Sequence, residues 1–190
     1  PLQATLEGAD FAYFSGITLA ILPPADRSRF LAVLRRFRDS GGRVVFDPNL
    51  RPKLWASPQE MTEAVMQAAA VSDITLPSYD DEAQWFGDKN PVATLERYLR
   101  AQGGCCVVKN GADRLLVAEG AQRFSCDPYP DVKVVDSTAA GDSFNAGFIA
   151  SRLRGAGLRD AVQAGASLAA QVVAKRGALV EIVLPKETVN

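Results

Sequence analysis

Apolar residues along the chain fall into two alternating kinds of segment. Continuous or period-2 runs occur at 11–14, 44–46, 74–76 and 105–108, and these read as short buried strands. Between them the spacing turns helical. Phe30, Leu34 and Phe37 recur at i, i+4 and i+7, Met61 to Ala70 is rich in helix formers, and Leu95 to Leu99 is similar. Strand alternating with helix predicts a mostly parallel sheet with helices on its faces.

The pattern changes after Lys109. Residues 115–118 and 122–125 flank Glu119-Gly120, which predicts a hairpin and an antiparallel edge, and Pro128 and Pro130 then mark a loop. Helical spacing returns over 141–154 and 158–175, separated by Arg154-Gly155-Ala156-Gly157. Ala161, Gly165, Leu168 and Val172 fall on one stripe of the second helix, whose many small residues predict close packing. No internal repeat or second domain boundary interrupts the pattern, so 1–190 reads as a single α/β domain.

A chain of 190 residues can bury its own core, and the length suits one domain or most of a somewhat larger one. With 21 Lys and Arg against 22 Asp and Glu, no positive excess exists to displace counterions from a nucleic acid, so that partner is not expected. No apolar run reaches the roughly 20 residues of a membrane span and no signal-like segment opens the chain, so a soluble, cytoplasmic protein is expected. The three cysteines, two of them adjacent, do not form a disulfide framework and read as buried strand residues. Histidine is absent, which removes Ser-His-Asp and Cys-His nucleophiles and His-ligated zinc. Acid and base chemistry is left to carboxylates, Lys or Tyr.

Candidate chemistry concentrates in "VVDSTAAGDSFNAGF", residues 134–148. A helix starting near Gly141 leaves its first N–H groups without intrahelical partners, and the helix dipole favours an anion there. Ala139, Ala140 and Gly141 are small enough to admit a phosphate. Asp142, in the first turn, stands where a substrate hydroxyl could be deprotonated or oriented as it attacks a phosphoryl group. Capping alone by Thr138 or Asp142 is the plainer alternative.

The run "DSTAAGDSFNAGF" resembles the D-T-x-x-A/G-G-D-S/T-F signature of the ribokinase-like, or PfkB, sugar kinases. The resemblance implies a three-layer α/β/α fold, ATP and Mg2+ as cofactors, Asp142 as catalytic base, and an anion hole at Ala139, Ala140 and Gly141. Asp136 would help organise nearby ions. Where the family commonly has Gly, this chain has Ala139, which keeps the backbone donor but tolerates fewer φ/ψ values.

Further segments fit the same family. "FDPNLR", 46–51, follows a strand, and ligands of open parallel sheets gather beyond strand carboxyl ends, which directs Asp47, Asn49 and Arg51 toward the crevice. It resembles the D-x-N-x-R element of sugar kinases, which implies Arg51 on a sugar acid or phosphate and Asn49 near the nucleotide. "LPSYDDE", 76–82, replaces the usual N-x-x-E and leaves Asp81 or Glu82 as the acid that organises magnesium. A solvated acidic helix start would also account for it. "VVKNGADR", 107–114, looks like the nucleotide-contacting loop, with a Lys typical of the 2-keto-3-deoxygluconate kinase branch, and makes Lys109, Gly111 and Asp113 candidates for ATP contact. An Asn-Gly turn between paired strands is the plainer alternative.

"FSGITLAIL", 14–22, resembles the strand-end loop beside the sugar, with Ile17 touching substrate or simply packing. "AKRGA", 174–178, matches the helix-to-strand return near adenine. Gly165 stands where relatives often carry a polar residue, which implies backbone and apolar recognition of the base.

Against the family pattern the resemblance begins partway in, so the first strands, lid and glycine-containing sugar loop are expected to lie elsewhere. That expectation makes this chain a fragment, or one that needs a complementing chain or homo-oligomer to cover an open sheet edge. The implied reaction is phosphorylation of a sugar-acid hydroxyl, with 2-keto-3-deoxygluconate the first substrate. A neutral sugar such as fructose or ribose, or a noncatalytic nucleotide-binding remnant, are the rivals.

Overall fold

The computed structural model describes residues 2–128 and 132–183. The chain divides into two compact units, Pro1–Cys126 and Asp127–Asn190. The division follows the last strand, at the proline-marked loop. Pro128 is described and Pro130 lies outside the described residues.

The first unit opens with α1 (Leu2–Leu6), followed by β1 (Phe11–Ser15), α2 (Gly16–Ala20), α3 (Pro24–Asp39) and β2 (Arg43–Asp47). A 3₁₀ turn over Pro52–Leu54 leads to α4 (Pro58–Ala70), β3 (Ile74–Thr75), α5 (Tyr79–Phe86) and α6 (Pro91–Gln102). β4 (Cys105–Val108), β5 (Leu115–Glu119) and β6 (Gln122–Cys126) complete one six-stranded sheet in sequence order. β1 to β4 are parallel, and β5 and β6 are antiparallel to their neighbours, as the hairpin pattern predicts. β3 is short because Pro77 has no N–H to donate, although Leu76 N still donates to Phe46 O at 2.9 Å.

Helix boundaries follow local chemistry. Pro24, Pro58 and Pro91 occupy first-turn positions, where a missing N–H costs nothing. Ser57 Oγ accepts from Glu60 N at 3.1 Å, and Asn90 Oδ1 accepts from Ala93 N at 2.9 Å, so both caps are satisfied. Gly87 and Gly103, with φ of 73° and 68°, end α5 and α6 in the left-handed conformation. α3, α4 and α6 then bury Leu34, Phe37, Met61, Val65 and Tyr98 with Phe14 and Phe46 of the sheet. Phe14 stacks on Phe46 with centroids 4.8 Å apart, and the predicted stripe residue Phe30 meets it edge-on at 5.3 Å. Each such large apolar side chain contributes roughly 1.5–3 kcal/mol by leaving water.

The second unit contains α7 (Ala140–Leu153) and α8 (Leu158–Val173). They approach through small residues: a Cβ on Gly147 would lie 2.7 Å from Ala164 O, and one on Gly165 would lie 2.8 Å from Phe144 O. Gly165 therefore serves helix packing. No helix among the described residues is long and apolar enough to cross a membrane.

Candidate active site

In the first unit, the carboxyl ends of parallel strands collect a charged cluster. Asp47 ends β2 and Lys109 follows β4, and Lys109 Nζ lies 3.4 Å from Asp47 Oδ1 with both side chains nearly buried. The Lys109 backbone is fixed as well, donating to Pro77 O and accepting from Tyr79 N, each at 2.8 Å. Asp81, in the first turn of α5, is half-buried beside this pair. Burial raises its pKa, Arg51 and Lys109 pull it back down, and Asp47 and Asp80 push it further up. The structure thus brings together Asp47, Arg51, Asp81 and Lys109, all named from the sequence.

Glu82 does not join them. Its side chain is wholly buried, with Oε2 accepting from Arg97 at 2.7 Å and Oε1 accepting from the Tyr98 hydroxyl at 3.0 Å. Arg97 also bonds Asp88 at 2.5 Å and lies 3.7 Å above the Phe86 ring. One guanidinium faces two carboxylates, and burial, outweighing Arg97, pushes Glu82 up to about 7. The expectation that Glu82 organises magnesium is therefore corrected: a residue 100° further round the helix from Asp81 faces the interior. Tyr79, Glu82 and Phe86 share one face at i, i+3 and i+7, and that spacing in the sequence was the available signal.

Arg51 is exposed, and its Nη1 donates to Leu50 O at 2.8 Å. The loop that carries it turns through Asn49 at φ 33°, an unusual value for a residue other than glycine. Gly16 makes the turn possible from the neighbouring strand end. A Cβ there would lie 1.9 Å from Pro48 O, so only glycine fits. The sequence pointed to Ile17, which is half-buried on α2, and passed over Gly16. Gly111 (φ 57°) and Asp113 are exposed in a turn closed by Asp113 N to Asn110 O at 2.8 Å. The turn joins the paired β4 and β5.

In the second unit the opening of α7 has a different construction. Asp136 accepts from Thr138 N and from Gly177 N, each at 2.9 Å, which ties the loop before α7 to the segment after α8. Its pKa falls to about 2, first through the Thr138 side chain and then through the Gly177 and Thr138 backbone donors. Both oxygens of the expected ion-organising acid therefore brace the loop. Ala139 caps the helix at φ 61°, ψ 12°, a left-handed conformation that glycine adopts without cost and alanine does not. Ser143 N closes the first turn on Ala139 O at 2.9 Å. The N–H groups of Gly141 and Asp142 precede that bond, where the helix offers them no acceptor. The Asp142 side chain is exposed beside them.

A recess of about 440 Å³ lies in the same unit, lined by Val132, Lys133, Val135, Ser167, Ala170, Gln171 and Ala174. Its walls are largely apolar. Val135 N and Asp136 N both donate to Val173 O, at 2.7 and 3.2 Å, so the recess and the α7 opening share one backbone frame. Among the described residues no group of three or more metal-ligating side chains forms a cage.

The first unit thus carries a strand-end charge cluster on an α/β sheet, and the second an acid beside unpaired amides at a helix mouth. The chain belongs to the pfkB family of carbohydrate kinases, whose family model matches residues 2–183. It is 41% identical over 178 residues to 2-dehydro-3-deoxygluconokinase of Escherichia coli K12, covering 92% of this chain and 58% of that protein. The namesake enzyme of Dickeya dadantii is 42% identical over 176 residues, covering 91% and 57%. The crystal structure of aminoimidazole riboside kinase from Salmonella enterica, complexed with aminoimidazole riboside and an ATP analogue, matches with a TM-score of 0.79 at 30% identity, covering 90% of this chain and 58% of that one. The ribokinase-like α/β architecture expected from the sequence is thus the one observed. The chain spans just over half the length of these relatives.

Proposed function

We propose that the whole protein transfers the terminal phosphoryl group of ATP to a hydroxyl of 2-keto-3-deoxygluconate, giving its 6-phosphate. The observation that carries this reading is the opening of α7: an exposed Asp142 carboxylate beside N–H groups that the helix leaves unpaired, on a loop of small residues. Asp142 takes the hydroxyl proton as the oxygen bonds to phosphorus and the bond to the ADP oxygen breaks. The amides of Gly141 and Asp142 stabilise the charge on the moving phosphoryl group, whereas the Ala140 N–H is already given to Ser137 O at 3.2 Å. Magnesium, when bound with the nucleotide, neutralises the phosphate charge, and Asp81 is suited to hold its water shell. The apolar recess of the second unit suits a flat heteroaromatic base. Asn49, Gly111 and Asp113 are assigned to the nucleotide, whereas Lys109 acts through its pairing with Asp47.

The acid substrate is favoured by Arg51, an exposed guanidinium able to hold a carboxylate through two hydrogen bonds, and by relatives named for that substrate at 41% and 42% identity. The test compares phosphorylation of 2-keto-3-deoxygluconate, fructose and ribose by the intact protein. Arg51→Ala should raise KM for the sugar acid on the order of 10- to 100-fold and leave neutral sugars unaffected. Equal turnover of all three sugars by the wild type would remove the acid assignment and favour a neutral-sugar kinase.

A further inference from the structure

We infer that Arg27 is a positioning residue that clamps together the two segments carrying Ile17 and Arg51, and so sets affinity for the sugar acid; the inference rests on the kinase reading above. Arg27 lies in the first turns of α3, and its side chain is only 13% exposed. Its Nε donates to Leu19 O at 2.7 Å and to Leu22 O at 3.0 Å. The Leu19 carbonyl belongs to the last turn of α2, a five-residue helix too short to satisfy its own termini, and Leu22 lies just beyond its cap. Nη1 of the same guanidinium bonds Glu60 Oε1 at 2.6 Å in the first turn of α4. Its planar face lies 4.7 Å from the centre of the buried Trp55 ring, four residues beyond Arg51.

One side chain therefore ties the segment after β1 to the segment after β2. At the other end of the same pair, Gly16 rests against Pro48 O. Between these two fixed points lie Ile17 on one segment and Asn49 and Arg51 on the other. Neither segment has a long helix or strand of its own to hold it: α2 has five residues, and the Asp47 to Trp55 stretch is regular only over a three-residue turn. Their geometry depends on what they are fastened to, and a small displacement of binding groups costs affinity steeply. Arg27 touches none of the groups assigned to chemistry, so its effect is expected on sugar binding and not on phosphoryl transfer.

Arg27→Lys tests this, because lysine keeps the charge and a partner for Glu60 but loses the planar fork that reaches two carbonyls and covers Trp55. In the intact protein, KM for 2-keto-3-deoxygluconate should rise roughly tenfold, with kcat within about twofold of wild type. A merely structural defect would lower kcat through lost active protein and leave KM in place. Amide hydrogen exchange provides a readout that needs no turnover: residues 17–22 and 50–57 should exchange faster together, while α6 keeps its protection. Glu60→Gln, which removes only the ion pair, should move both readouts in the same direction by less and serves if the lysine variant does not fold. An unchanged sugar KM in a folded variant, or unchanged protection of both segments, overturns the inference. Absence of sugar-acid phosphorylation by the wild type would instead defeat the kinase reading, and the exchange result would then decide the clamp alone.

Discussion

The ion-paired side chains of the first unit and the mouth of α7 in the second hold charge by opposite means. In the first, side chains neutralise one another in partial or full burial: Asp47 with Lys109, and Glu82 and Asp88 with Arg97. In the second, the main chain provides the polar groups, and Asp136 spends its oxygens on Thr138 N and Gly177 N while Asp142 stays exposed. Charges buried on one another depend on every partner, so removing one leaves another stranded. A backbone arrangement depends on φ and ψ, which a single side chain tunes only slightly. The first region should therefore be sensitive in stability, and the second in chemistry.

The largest stability effect is expected at Arg97. Arg97→Met keeps the bulk over Phe86 but strands Glu82 and Asp88, and should cost about 3–5 kcal/mol in a denaturant titration. A loss as small as that of an exposed ion pair would mean that the buried network does not support the first unit.

The dependence on pH sharpens the contrast, because the two regions have opposite signs. Glu82 rises from 4.5 to about 7, so between those values the folded state holds a proton that the unfolded chain has released. Its contribution is complete below pH 4.5 and is lost as pH rises through 7. Asp136 is lowered from 3.8 to about 2, so its contribution is present above 3.8 and is lost as pH falls through 2. Urea midpoints of Glu82→Gln should lose the decline between pH 4.5 and 7, and those of Asp136→Asn should lose part of the acid limb below 3.8. Parallel profiles for both variants would break the comparison.

The smallest effect belongs to Ala139. Ala139→Gly removes a left-handed alanine at φ 61° and should stabilise the second unit by about 1 kcal/mol, read as a shift in the urea midpoint. A destabilised variant would mean that the loop is not strained in this way.

Much of this arrangement can be read from the chain itself, for identifiable reasons. Period-2 runs and turn residues placed the strands and the hairpin within a residue or two, because strands buried in a sheet leave few polar positions. The start of α7 was readable because small residues and an acid precede a helical apolar spacing. What escaped depends on contacts between distant segments. Residues 16–20 form a short helix where a loop was expected, held by Thr18 Oγ1 accepting from Ser15 N at 3.4 Å and by Arg27 on its Leu19 carbonyl. The requirement for glycine at position 16 comes from Pro48, which no local pattern reveals. Of the three successive acids at 80–82, the spacing with Tyr79 and Phe86 marks Glu82 for the interior, but its partners, fifteen and sixteen residues downstream, show in no local pattern.

The most direct test of the account is Asp142→Asn in the intact protein, with turnover and nucleotide affinity measured side by side. Removing the proton acceptor while keeping the side-chain shape should lower kcat by about 10²- to 10⁴-fold and leave ATP affinity, measured calorimetrically with magnesium, close to wild type. Turnover that survives the substitution unchanged would contradict the assignment of Asp142 as the base.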